Sequence, residues 1–167
     1  MVRMVYCLYC QVFIILVQNI LQKKKMINLV VSNTKDGYQY ATQSIKDLCE
    51  LVLKDSIYES ISLNIIFCDD HHLSTLKAKY FNEDVLTDVL AFPIQNDTVL
   101  ESEIYISYDR ALANSKEFNV SINNELVRLI VHGLLHLLGY RDDNKKSKQI
   151  MFDKQEAIVE NCNIRIV

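Results

Sequence analysis

The sequence predicts an α+β fold: a small mixed β-sheet of about four strands packed with several helices, among them a central buried helix carrying two histidines. Three observations lead there. Runs rich in isoleucine and valine alternate along the chain with segments whose apolar residues recur at helical spacing. The stretch Asn124 to Leu138 is apolar on nearly every side, which places it in the middle of its domain. No internal repeat, low-complexity tract or Pro/Gly linker interrupts residues 26–167, so they read as one domain.

Residues 1–25 stand apart as an apolar extension. From Met4 to Leu21 only Gln11, Gln18 and Asn19 are polar, and Arg3 and Lys23 to Lys25 flank the run. A membrane span needs about twenty predominantly apolar residues, so this run is borderline. A cleaved signal ends in small residues, whereas this run meets three lysines. The reading adopted is a start codon placed too early, with the domain beginning at Met26 and no stable membrane association.

Asn28 to Ser32 reads as a first strand. Ala41, Ile45, Leu48, Leu51 and Val52 mark an amphipathic helix over Gln39 to Leu53. Ile61 to Cys68 reads as a largely buried strand, and Asp69 or Asp70 can cap a helix over Leu73 to Phe81. His71 and His72 are adjacent, which suits a solvated helix start better than a pair of metal ligands. Val89, Leu90 and Phe92 form a strand, with Pro93, the only proline, at its edge or end. Asp88, just before it, is a turn-maker or an acid that orients a ligand histidine. Glu103 to Ser107 alternates polar and apolar residues as a strand does. Asp109 to Phe118 is a helix, and the central helix starts near Ser121 to Asn124, with Glu125 in its first turn.

Charge and cysteine usage bound the function. Removing Arg3, Lys23, Lys24 and Lys25 takes the formal charge from −3 to −7, so residues 26–167 are no general nucleic-acid coat. Five scattered cysteines form no disulfide framework, and a reducing cytoplasm is the simpler setting. Cys7 and Cys10 have C-x-x-C spacing, but no second pair follows. Half the residues are apolar, which excludes disorder throughout.

The chemistry is concentrated in Val131-His132-Gly133-Leu134-Leu135-His136-Leu137-Leu138-Gly139-Tyr140-Arg141-Asp142. Histidines four apart on a helix share one face. Gly139 suits a left-handed helix end, and the turn it makes can return Asp142 toward the histidines. Two imidazoles and a carboxylate make a three-ligand site with open positions, as in a catalytic rather than a structural metal site. Zinc, one ion per chain, is the expected cofactor, and another divalent transition metal also fits this donor set. The spacing is similar to H-E-x-x-H-x-x-G-x-x-H of metzincin peptidases, but Gly133 stands where those enzymes carry their glutamate base. A peptidase-like enzyme is the weaker alternative.

A closer match exists. His132 to Tyr140 resembles the signature of the YbeY family, bacterial metal-dependent endoribonucleases of rRNA maturation. Thr87-Asp88-Val89-Leu90-Ala91-Phe92-Pro93 is similar to that family's Thr-Asp/Asn-Val-Leu-Ser-Phe-Pro motif. Glu103-Ile104-Tyr105-Ile106-Ser107 resembles its Gly-Asp-Ile-x-Ile-Ser strand, with Ser102 and Glu103 replacing Gly-Asp. The family's third histidine is replaced by Asp142, and the arginine of its Tyr-Arg pair by Phe81. The resemblance runs from Met26 to about Cys162 and implies a single-strand-specific endoribonuclease. Its substrate would be single-stranded RNA or rRNA, and its partner the ribosome or a small-subunit precursor. His132, His136 and Asp142 are the expected ligands. Arg141, Asp143 and Glu103 are catalytic candidates, and Lys77, Lys79 and Arg141 are substrate-binding candidates. Lys145, Lys146 and Lys148 form a basic cluster after the site. A non-catalytic ribosome-assembly factor with a structural metal is the remaining alternative.

Overall fold

A computed structural model of the chain describes residues 25–34, 39–96 and 98–167. The apolar run Met4 to Leu21 and the Cys7, Cys10 pair lie outside the described residues. Four strands, β1 (Met26–Asn33), β2 (Ser60–Cys68), β3 (Val89–Asn96) and β4 (Val99–Ser107), form one sheet in the order β1-β2-β4-β3. β1, β2 and β4 are parallel and β3 runs antiparallel to β4, so the sheet is mixed as expected. Five helices are described: α1 (Thr42–Leu53), α2 (Asp70–Phe81), α3 (Tyr108–Glu117), α4 (Ile122–Leu137) and α5 (Lys145–Asn161).

The period of two along the strands splits the sheet into two faces. Ile61, Leu63, Ile65 and Phe67 of β2 and Leu100, Ile104 and Ile106 of β4 share one buried cluster with α1 and α4. On the opposite face, Leu90 and Cys68 form a smaller cluster with Leu73 of α2, against which Phe92 and Tyr105 pack. β2 is largely buried, as expected, and half-exposed only at Ser62, Asn64 and Ile66 over Ile61 to Cys68. Pro93 lies on the edge strand β3, where a missing N–H breaks no inner ladder, and the register shifts between Pro93 and Gln95.

Local chemistry sets the helix ends. Asp69 accepts a hydrogen bond from the His72 N–H, so α2 starts three residues before the sequence reading placed it. Ser107 caps α3 and also donates to Asp70, whose other oxygen is held by Arg110 at 2.8 Å, tying α2 to α3. Ser121 caps α4 and Asn144 caps α5. Lys25, assigned from sequence to the extension, donates to the Leu53 carbonyl at 3.0 Å and to both the carbonyl and the hydroxyl of Ser56, closing the end of α1. Among the described residues, no helix is long and apolar enough to cross a membrane.

Helix α4 is the centre of the domain. It packs on α1, α3, α5, β3 and β4, and ten of its sixteen residues are buried. Gly133 sets how closely it approaches the sheet. A Cβ there would lie 2.9 Å from Cγ2 and 3.1 Å from Cδ1 of Ile104, so any other residue would have to displace the Ile104 side chain.

Candidate metal centre

The last turns of α4 present His132 and His136 side by side, their ring centroids 4.6 Å apart and edge-on at 84°. The helix then stops at Gly139, whose φ of +87° is the left-handed conformation that glycine adopts without penalty. Gly139 N–H donates to the His136 carbonyl and Tyr140 N–H to the Leu135 carbonyl, the paired bonds of a Schellman end. That reversal brings the Tyr140 carbonyl to 3.1 Å from Nδ1 of His136. A carbonyl only accepts, so Nδ1 of His136 carries the proton and Nε2 presents its lone pair.

His132 is held differently. Its Nδ1 lies 2.9 Å from Oε1 of Gln155, a buried residue of α5. Gln155 Nε2 donates to Glu156 at 2.9 Å, which orients the amide and leaves its oxygen toward the imidazole. Nδ1 of His132 is thus the protonated nitrogen as well. The two Nε2 atoms face each other at 3.0 Å. Two lone pairs at that distance repel unless a cation lies between them, so the donor set fits a metal ion.

Asp142 completes the group. Ligand atoms of His132, His136 and Asp142 all lie within 4.8 Å of one another, and no other such cluster occurs among the described residues. The histidines are half-buried and Asp142 is exposed. Burial chiefly, and then the neighbouring His132, lower the pKa of His136, which favours the neutral imidazole that a metal requires. The site opens to a cleft of about 380 Å³ lined by His136, Gly139, Tyr140, Arg141, Asp142 and Asp143.

The other candidates are placed unequally. Arg141 and Asp143 line the cleft and pair with each other at 3.3 Å, and Asp143 also accepts from Ser147 at the start of α5. Glu103 is not brought to the histidines. Strand alternation turns it away from Ile104, on which α4 rests, and its carboxylate meets Tyr105 at 2.9 Å and Asn64 at 3.5 Å. Lys77 and Lys79 belong to α2, over the same far face; Lys77 pairs with Glu83 at 3.3 Å and Lys79 lies 5.0 Å from the ring of Tyr80. Phe81 packs against Phe92 on that side, ring centroids 5.8 Å apart. His71 and His72 lie in the first turn of α2, outside the metal cluster; His71 is exposed as expected, whereas His72 is half-buried, its ring centroid 5.9 Å from that of Tyr105. The Asp88 carboxylate touches no histidine and accepts instead from Asn114 at 3.2 Å.

Sequence reasoning missed Gln155, Arg128 and Glu156. Glu125 is the first-turn acid that the sequence predicts, and it is also 2% exposed and paired with Arg128 at 2.8 Å. A signal existed in both cases. A charged pair inside an apolar helix needs internal partners. Gln155 falls between Met151 and Val159 on the buried stripe of α5, where a polar residue needs a hydrogen bond.

The fold and donor set define an α+β protein with a candidate three-ligand metal centre on its central helix. The chain belongs to the YbeY family: the family model described as Endoribonuclease YbeY matches residues 30–163. It is 33% identical to the Endoribonuclease YbeY of Flavobacterium johnsoniae over 114 residues, 68% of this chain and 82% of that protein. It is 42% identical to that of Karelsulcia muelleri over 94 residues, 56% of this chain and 67% of that protein. The solution structure of TM1509 from Thermotoga maritima is similar with a TM-score of 0.55 at 28% identity, covering 81% of this chain and 87% of that one.

Proposed function

We propose that the chain is a metal-dependent, single-strand-specific endoribonuclease of rRNA processing and ribosome maturation, acting in the cytoplasm. One divalent ion, zinc before other transition metals, would be held by His132, His136 and Asp142. The observation that carries this reading is the pair of facing Nε2 lone pairs beside Asp142. Its relatives' names supply the reaction: they are endoribonucleases. When bound, the ion supplies Lewis acidity, making water a better nucleophile and offsetting charge that develops on the phosphate.

The chain's own residues supply the remainder. Backbone and amide partners hold both imidazoles by Nδ1–H with their Nε2 atoms aimed at one point. Asp143, in the same cleft, is assigned to take the proton from water, and Arg141 to contact the phosphate. Lys145, Lys146 and Lys148 follow the cleft at the start of α5 and would steer RNA toward it. Lys77 and Lys79 would meet only RNA that continues around the β3 edge. Peptidase chemistry is disfavoured because the glutamate that it needs after the first histidine would clash with Ile104. The proposed catalytic unit is residues 26–167, with the ribosome or a small-subunit precursor as partner.

The test is metal content of the purified chain together with cleavage of single-stranded rRNA fragments. Wild type should contain about one equivalent of metal and cut the RNA, and His136→Ala should do neither. Equally little metal in both proteins removes the site, and metal-loaded protein that leaves RNA intact removes the nuclease. Asp142→Ala should lose metal, whereas Asp143→Ala should keep it and lose turnover.

A further inference from the structure

The two histidines depend on different holders, and one of these belongs to no recognised motif of the chain. We infer that Gln155 is a positioning residue of the metal centre: its side-chain amide, clamped by Glu156 and Arg128, holds His132 as the Nδ1–H tautomer with Nε2 turned toward His136 and Asp142. This inference rests on the metal-site reading above.

The amide has one workable orientation. Its Nε2 donates to Oε1 of Glu156 at 2.9 Å, while its Oε1 accepts from Nδ1 of His132 at 2.9 Å. Rotating it by half a turn sets an oxygen against a carboxylate and an NH2 against the imidazole N–H, two repulsive contacts in place of two bonds. Glu156 cannot swing away to relieve them, because the Arg128 guanidinium grips both its oxygens, Nε at 2.9 Å and Nη2 at 3.1 Å. Arg128 is fixed in turn by Nη1 on Glu125 at 2.8 Å. Glu125 accepts from Asn114 at 3.3 Å, and Asn114 also donates to Asp88 at 3.2 Å. A continuous hydrogen-bonded chain therefore runs from the start of β3 to the metal centre. Gln155 and Glu125 are 6% and 2% exposed, so water offers these groups little alternative. Partners behind a metal ligand set its tautomer and orientation, and losing one weakens metal binding about 10- to 100-fold.

The experiment measures imidazole nitrogen-15 shifts in the metal-free full chain, then zinc affinity by titration in wild type, Gln155→Met and the double variant Gln155→Glu with Glu156→Gln. The expected wild-type spectrum has His132 protonated on Nδ1, and protonation on Nε2 overturns the inference without any variant having to fold. Gln155→Met, similar in shape but unable to accept, should bind zinc about 10- to 100-fold more weakly. Gln155→Glu combined with Glu156→Gln, which still accepts from Nδ1 and puts a donor in place of the Glu156 carboxylate, should recover most of that loss. Equal affinity in wild type and Gln155→Met, or no recovery in the double variant, overturns the role of Gln155 while leaving the metal site standing. A wild type that takes up no zinc overturns the metal-site reading instead, and the tautomer then decides Gln155 alone.

Discussion

His132 and His136 sit one helical turn apart and face the same point, yet the rest of the chain secures them by opposite means. His136 is held by backbone four residues away, the Tyr140 carbonyl, which reaches it because Gly139 reverses the chain. His132 is held by a side chain from α5, 23 positions further along, and by the network of charged and amide groups behind it. The first arrangement needs only helix geometry and one glycine. The second needs α5 docked, Arg128 ionised and Glu156 in place. A metal centre assembled this way should fail in two distinguishable manners, one local and one cooperative with the fold.

The largest effect should come from the imidazoles themselves. Replacing either histidine by alanine should weaken zinc binding more than about 100-fold, because both are proposed as direct ligands and neither can cover for the other. Isothermal titration of the two variants decides this, and a variant that keeps wild-type affinity removes that histidine from the site.

The cooperative arm is broken next by Arg128→Ala. It removes the cation paired with the Glu125 carboxylate, which is 2% exposed, and leaves it the amide of Asn114. Breaking a buried pair from one side costs on the order of 3–5 kcal/mol, and partial exposure of Arg128 places this case at the low end. Denaturant unfolding of the metal-free chain should show that loss, and an unchanged midpoint would mean that the network contributes nothing to the fold.

A smaller effect belongs to the local arm. Gly139→Ala puts a side chain at φ +87° with nothing within 4 Å of the new methyl, so the cost is conformational, about 1–2 kcal/mol. Gly139→Asn should cost less, since asparagine tolerates that region. Both should disturb His136 at Nδ1 while leaving His132 protonated on Nδ1. Matching shift changes at the two rings would erase the distinction drawn between them.

The smallest effect is a slope. Hydrogen bonds from Arg128 chiefly hold the Glu156 carboxyl below its ordinary value of 4.5. A carboxyl lowered in the folded state contributes stability that is present above the unfolded value and lost as pH falls through the folded one. Stability of the metal-free chain should therefore decline more steeply below about pH 4.5 in wild type than in Glu156→Gln. Parallel acid profiles would show that Glu156 titrates alike in both states.

Much of this was legible before any coordinates. The histidine spacing, the glycine that ends the helix and the carboxylate beyond it lie within eleven consecutive residues, and short-range geometry brings them together wherever that helix is placed. The alternation of Glu103 to Ser107 also held the signal that Glu103 faces away from the residues packed on α4, although its chemistry had made it a candidate. Gly133 read as a missing base, whereas the structure gives it a steric task, the close approach of α4 to Ile104. Gln155 was less accessible, since a polar residue on a buried stripe announces that it has a partner without saying which.

By itself, then, the sequence determined the α+β class, the central helix and the three-residue donor set, because each follows from periodicity or from contacts a few residues apart. Only the tertiary structure decided which face of the sheet α4 covers, what lies behind His132, and why position 133 favours glycine. Those depend on which elements pack together, and that is settled by burial of the whole core rather than by any local pattern.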